Sequence, residues 1–298
     1  MFENFKSAKW NKIAPMFVKY LYLRTDEAMV LRVASSLSYT SLIAVVPVIA
    51  VVLAVFAEFS IFADVRSQVQ DFIFQYFVPN IGDNIQHYFR RFVSATTKLK
   101  AVGLIGIAIT ALLLLNTIES SFNFIFAVRK KRKLITRVAL YALIITVCPL
   151  LLGMAFSLRG FLLTFKYFHP EEILGYELFA SVILPNLFIF AVFMLSYRLV
   201  PYRKIRFSSA FYGATAAFIM ILIVRKGFSF FLQMNVTYST LYGALAAVPL
   251  LLIWMYSWWT VVLFGAVITA AIEEFRNKKD VIGKLQARKA LVRKHSSK

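Results

Sequence analysis

Glu119 interrupts an apolar run that extends from Ala101 to Val128. A charge left unpaired in hydrocarbon is penalised by roughly 2.5 kcal/mol or more, so an ionisable group at such a position is a candidate for function. Asn116 lies three residues before it, Asn123 four after it, and Ser120 beside it. On a helix of 3.6 residues per turn Asn116, Glu119 and Asn123 share one face, with Ser120 beside them. Leu112 to Leu115, Phe122 and Phe124 to Phe126 occupy the remainder, so the polar face is expected to point into a bundle of helices. Ten residues separate Glu119 from Arg129. If Arg129 marks a membrane interface, a rise of 1.5 Å per residue puts the carboxyl about 15 Å deep, close to the midplane. Two readings stand: a polar pathway or proton-linked carboxyl, and a buried hydrogen-bond network that fixes helix packing.

A second polar set occupies Arg32, Ser35, Ser36, Ser38, Tyr39, Thr40 and Ser41, after which Leu42 onward is almost wholly apolar. It offers a surface that could face Glu119, although Ser and Thr also permit close helix approach. Arg32 either reaches toward that face or snorkels to the interface. Asn186 directly follows Pro185 and either satisfies a carbonyl freed by the proline or lines a cavity opened by a bend. Pro47, Pro149 and Pro249 are expected to act on their helices in the same way. Arg159, Arg225 and Lys226 are cationic groups at outer span ends, placed to receive an anionic headgroup or to anchor the helix at the interface.

Six apolar stretches position these residues: 34–57, 101–128, 138–158, 178–197, 207–224 and 244–272. Each is long enough to cross about 30 Å of hydrocarbon, so the fold class is all-α integral membrane protein with six transmembrane helices. Of the 34 Lys and Arg residues, 25 fall in the odd-numbered segments between and beyond the spans and 9 in the even ones. The densest run is Arg129 to Lys133 with Arg137, in a short loop abutting two spans. Positively charged segments resist translocation, which puts the N terminus, this loop, the loop at 198–206 and the C terminus in the cytoplasm.

Residues 1–33 are expected to form a cytoplasmic interfacial helix, with Phe5, Ile13, Met16, Phe17 and Tyr20 opposite Lys6, Lys9, Lys12 and Lys19. Residues 58–100 carry a helical period on both sides of Pro79, which predicts a helical hairpin on the periplasmic mouth of the bundle. Residues 273–298 form a basic tail suited to anionic headgroups of the inner leaflet.

With 60% hydrophobic and 16% charged residues, the chain suits a bundle whose exterior is lipid. The net charge of +20 is accounted for by span ends, so membrane lipids rather than nucleic acid are the expected partners. The one cysteine, Cys148, lies inside the third span, which excludes a disulfide framework or a cysteine metal cluster. There is no phosphate-cradling glycine loop, nucleophilic triad or zinc spacing, and no cofactor or metal is expected.

Four segments resemble one family. Arg32-Val-Ala-Ser-Ser-Leu-Ser-Tyr-Thr-Ser-Leu42 followed by Pro47 is similar to the first-span signature of the YihY/virulence factor BrkB-like membrane proteins. So are Asn116-Thr-Ile-Glu-Ser-Ser-Phe-Asn123 before a basic loop, Tyr197-Arg-Leu-Val-Pro201, and Tyr242-Gly-Ala-Leu-Ala-Ala-Val248. The resemblance runs from about residue 25 to 275 and implies a six-span bacterial inner-membrane protein, with envelope or lipid homeostasis as the expected role. Gly265-Ala266 is followed here by Val267, where many relatives carry an acid, so a role for that acid does not transfer.

The family's former label, a tRNA-processing ribonuclease, finds no support in the residues. His87 and His169 fall outside, His295 lies in the tail, and Asp26-Glu27 and Glu273-Glu274 sit at interfaces without histidine partners. Transport of an anionic lipid or related amphiphile and a non-transporting membrane scaffold are the two functional expectations. The topology is directly testable. Alkaline phosphatase fused after Arg132 should be inactive and fused within 62–98 active; activity after Arg132 would overturn the orientation.

Overall fold

The computed structural model describes residues 10–58, 101–128, 130, 132–165, 179–234 and 247–275. The expected hairpin at 58–100 lies outside these residues apart from Glu58, as do the tail beyond Phe275 and residues 1–9. Among the described residues the regular structure is all helical: α1 (Trp10–Glu27), α2 (Val30–Glu58), α3 (Ala101–Ile125), α4 (Leu134–Phe165), a π turn (Phe179–Ile183), α5 (Leu184–Leu199), α6 (Phe207–Met234) and α7 (Ala247–Phe275). α6 from Phe207 to Met234 and α7 from Val248 to Phe275 are each long and apolar enough to cross a bilayer.

α7 is the centre of the bundle. It packs against α6 and α2 along its length and against α1 at its end, while α2 also carries α3 and α5 lies on α6. The close α6–α7 contact follows from small side chains: Ala210, Ala214, Ala217, Ala266 and Ala270 are wholly buried. A β-carbon added at Gly213 would overlap the Thr269 hydroxyl and lie 2.7 Å from the Gly265 carbonyl oxygen. One added at Gly265 would strike the Tyr197 phenol and come within 2.7 Å of the Ala217 β-carbon. The Gly213/Ala217 pair therefore packs within the chain, as small residues do where helices associate without a solvent-derived driving force.

Two helix ends are closed by non-glycine residues in the left-handed region. Met29, at φ 46°, separates α1 from α2, and its amide bonds the Asp26 carbonyl. Ala127, at φ 52°, ends α3 with bonds from Ala127 N to Phe124 O and from Val128 N to Asn123 O. That pairing is a Schellman cap, normally built with glycine.

The four span prolines behave less uniformly than a kink at each would suggest. Pro249 is the third residue of α7, inside the first turn, where its missing N–H has no helical partner to lose. Pro185 opens α5, and the wider π turn before it absorbs the mismatch. Pro47 and Pro149, by contrast, sit in the interiors of α2 and α4.

Space at two glycines makes the packing testable. Gly265→Ala should lower unfolding stability in detergent by about 1–3 kcal/mol through overpacking. Gly227→Ala, where a β-carbon meets nothing within 4 Å, should be neutral or slightly stabilising. Equal thermal midpoints for the two variants would contradict the close approach of α6 and α7.

Candidate functional site

α3 and α4 form an antiparallel pair joined by the basic loop, and their polar residues meet at matching depth. Glu119 stands six residues before the end of α3, about 9 Å along the axis, and Tyr141 seven residues after the start of α4, about 10 Å. The Tyr141 hydroxyl donates to Glu119 Oε2 at 2.6 Å. Arg137, one turn nearer the loop, brings Nε to 3.4 Å from the same carboxylate oxygen and donates from Nη1 to Asn116 Oδ1 at 3.0 Å. Arg132 approaches from the loop, with Nε 4.0 Å from Glu119 Oε1. Asn123 donates to Glu119 Oε1 at 3.5 Å and accepts the Tyr202 amide at 2.8 Å.

Glu119 is 1% exposed, so the carboxylate is not the isolated charge its surroundings in sequence imply. Two guanidiniums and a phenol reach it, which offsets the cost of burying it. α3 is shorter than the apolar run, and the chain turns back at Ala127. The carboxyl is therefore about 9 Å along the axis from the helix end. Among the described residues, the backbones of α3 and α4 barely approach one another; α4 packs instead on α2 and α5. Leu134, Ile135, Val138 and Leu143 point outward, and among the described residues of the first half of α4 Tyr141 is the buried side chain. The polar cluster is thus the main link between the two helices at this end.

The other expected members do not converge on it. Arg32, Ser35 and Tyr39 line the outward face of α2: Arg32 contacts Met29 Sδ at 3.5 Å, Ser35 bonds back to the Leu31 carbonyl at 2.9 Å, and Tyr39 is 63% exposed. Ser38 and Ser41 point inward, and Ser41 accepts from the Trp259 indole at 2.9 Å. The polar half of the first span is therefore split between two faces. Asn186 donates to the Val182 carbonyl at 2.8 Å, which satisfies backbone loosened beside Pro185. Arg225 is half-buried and Lys226 exposed within α6, which continues past them to Met234. Arg159 and Cys148 lie outside the residues whose side chains are described.

A second ionic cluster has no signature in the sequence. Glu274, 4% exposed, accepts from the Tyr20 hydroxyl at 2.5 Å and from Arg24 Nη2 at 3.0 Å, with Arg203 Nη1 at 3.6 Å. Arg24 also donates to the Ile125 carbonyl at 2.8 Å and Arg203 to that of Phe126 at 3.2 Å. Cations on terminal carbonyls complement the helix dipole of α3. Beside this cluster, Glu273 accepts from Ser209 at 2.6 Å and from the Arg206 amide at 3.3 Å. Burial, then the bond to Glu274, pushes the Tyr20 phenol well above its ordinary pKa, so it stays a donor at any physiological pH. α1 consequently rests on α7, with Phe17 edge-on to Phe275 at 5.4 Å.

The sequence pattern of the family described as Virulence factor BrkB matches residues 21–290. The chain belongs to that family. It is 37% identical over 274 residues to the UPF0761 membrane protein YihY of Salmonella typhimurium, covering 92% of this chain and 94% of that protein. To the UPF0761 membrane protein VV0203 of Vibrio vulnificus it is 32% identical over 279 residues, 90% of this chain and 87% of the other. No solved structure matches it. This BrkB-family chain is thus a membrane protein, and its outward apolar residues, such as Leu113, Ile223 and Phe230, are suited to lipid.

The Glu274 cluster carries a stability prediction. Arg24→Ala, which removes the closest cationic partner of buried Glu274 and leaves it Tyr20 and the more distant Arg203, should cost about 2–4 kcal/mol in detergent unfolding. Glu27→Ala removes a partner whose side chain is 47% exposed and should change stability by less than about 1 kcal/mol. Matching losses would mean that Glu274 does not hold α1.

Proposed function

We propose that this protein spans the bacterial inner membrane six times, with both termini in the cytoplasm, and moves an anionic lipid or related amphiphile in envelope homeostasis. The observation that carries the reading is the Glu119 cluster. A carboxylate buried among apolar helices and faced by Arg137 and Arg132 is costly to maintain, and such groups mark substrate or ion paths in membrane bundles. The loose α3–α4 pairing supports it, because helices bridged by side chains can separate without unpacking a dense core. Three further features agree with this reading: the outward polar stripe of Arg32, Ser35 and Tyr39 on α2, the basic tail, and the cations Arg159, Arg225 and Lys226 toward the far end. On this reading the protein is not an enzyme and takes no cofactor.

The alternative is a non-transporting scaffold in which Glu119 is packing glue. The short Tyr141 bond favours it, since a hydroxyl donor satisfies the carboxylate without any ligand. Reconstitution in liposomes separates the two. The wild-type chain should scramble or flip fluorescent phosphatidylglycerol faster than protein-free liposomes, and Glu119→Gln should reduce the rate at least about 10-fold while remaining folded. Wild-type vesicles no faster than empty ones would leave the scaffold.

A further inference from the structure

Among the described residues, the charges around Glu119 do not balance. One carboxylate faces two guanidiniums, which leaves the cluster with one formal positive charge in a largely buried setting: the side chains of Glu119, Arg132 and Arg137 are 2%, 9% and 22% exposed. Apart from the 3.0 Å bond of Arg137 Nη1 to Asn116 Oδ1, the guanidiniums are not well used either. Both Arg132 Nε and Arg137 Nε are buried without a hydrogen-bond acceptor, at 4.0 and 3.4 Å from carboxylate oxygens that a bidentate pair would hold at about 2.8 Å. The remaining contacts of Arg132 are weak, a 3.4 Å approach to the Leu199 carbonyl and a stack over the Tyr202 ring at 5.1 Å. The carboxylate takes its one short bond from Tyr141 instead. Buried donors left unmade cost more than made bonds contribute, so this is an arrangement with room for a better acceptor.

We infer that Arg132 and Arg137 form a phosphate-recognition site in which Glu119 is the resident counter-ion, displaced when a phosphodiester headgroup arrives. A phosphate offers tetrahedral oxygens that two guanidinium forks can bind together, and its charge neutralises the excess that Glu119 leaves. Lys130 and Lys133 are exposed beside the site and lead an anion to it. Tyr141 keeps the displaced carboxylate hydrogen-bonded, so the exchange strands no bare charge. Because the same cluster ties α3 to α4, the incoming anion competes with the link that closes the helix pair. The inference rests on the anionic-amphiphile reading above and names the groups that recognise the ligand.

Binding tests it without any transport readout. The full chain in neutral detergent is titrated with short-chain phosphatidylglycerol, short-chain phosphatidylcholine and inorganic phosphate, by microscale thermophoresis. Phosphatidylglycerol should bind more tightly than phosphatidylcholine. Glu119→Gln, which removes the internal competitor, should bind it about 10-fold more tightly, and Arg137→Gln about 10-fold more weakly. If Arg137→Gln does not fold, the comparison of wild type with Glu119→Gln still decides. Inorganic phosphate competing at concentrations like those of the lipid would identify the ligand as the free anion and leave the site standing. Unchanged or weaker binding by Glu119→Gln would overturn the site whether or not lipid is flipped. Tighter binding without flipping would retain the site and remove transport.

Discussion

A carboxylate buried between two helices that scarcely touch is the constraint on which the rest of this architecture turns. Glu119 cannot face lipid, so α3 must present it inward, and α4 must lie where Tyr141 and Arg137 can reach it. Satisfying that group with long side chains rather than backbone contact sets the spacing of the pair. Among the described residues of the first half of α4, Leu134, Ile135, Val138 and Leu143 face outward. Electrostatics therefore contributes to how α4 is held beside the basic loop.

The opposite design holds α6 and α7 together. There, Gly213, Gly265 and a row of buried alanines allow the helices to approach until side chains would collide, and Tyr197 seals the contact by donating to the Val262 carbonyl at 2.9 Å. Dispersion in a close-packed seam tolerates little movement, whereas a bridged pair tolerates more. A close-packed α6–α7 seam thus stands beside an α3–α4 pair bridged by side chains. The Glu274 cluster joins the two by capping the last carbonyls of α3 with Arg24 and Arg203.

Much of this is readable from residue order. The long apolar runs locate α2 to α7, and the cost of a charge in hydrocarbon singles out Glu119 together with Asn116 and Asn123, which do bond within its cluster. The partners are what residue order hides. Arg137 and Arg132 read as orientation signals because loop cations usually are, and only the antiparallel register of α3 and α4 shows that they lie level with Glu119. Tyr20 and Arg24 are about 250 residues from Glu274, so no local pattern pairs them. The hydroxyls of the first span have the same chemistry on both faces, and so Arg32, Ser35 and Tyr39 cannot be sorted from Ser38 and Ser41 by composition. Helical register alone divides them.

A distance measurement tests the central dependence most directly. Spin labels at Leu113 on α3 and Leu143 on α4, both outward-facing, report the separation of the pair in nanodiscs by pulsed electron paramagnetic resonance. The wild-type clasp should give one narrow distribution, and Glu119→Leu, which removes the carboxylate that Tyr141 and the two arginines share, should broaden it or shift it to longer distance. Superimposable distributions would show that α4 is held in place by something other than Glu119, and the dependence of the helix pair on that carboxylate would be refuted.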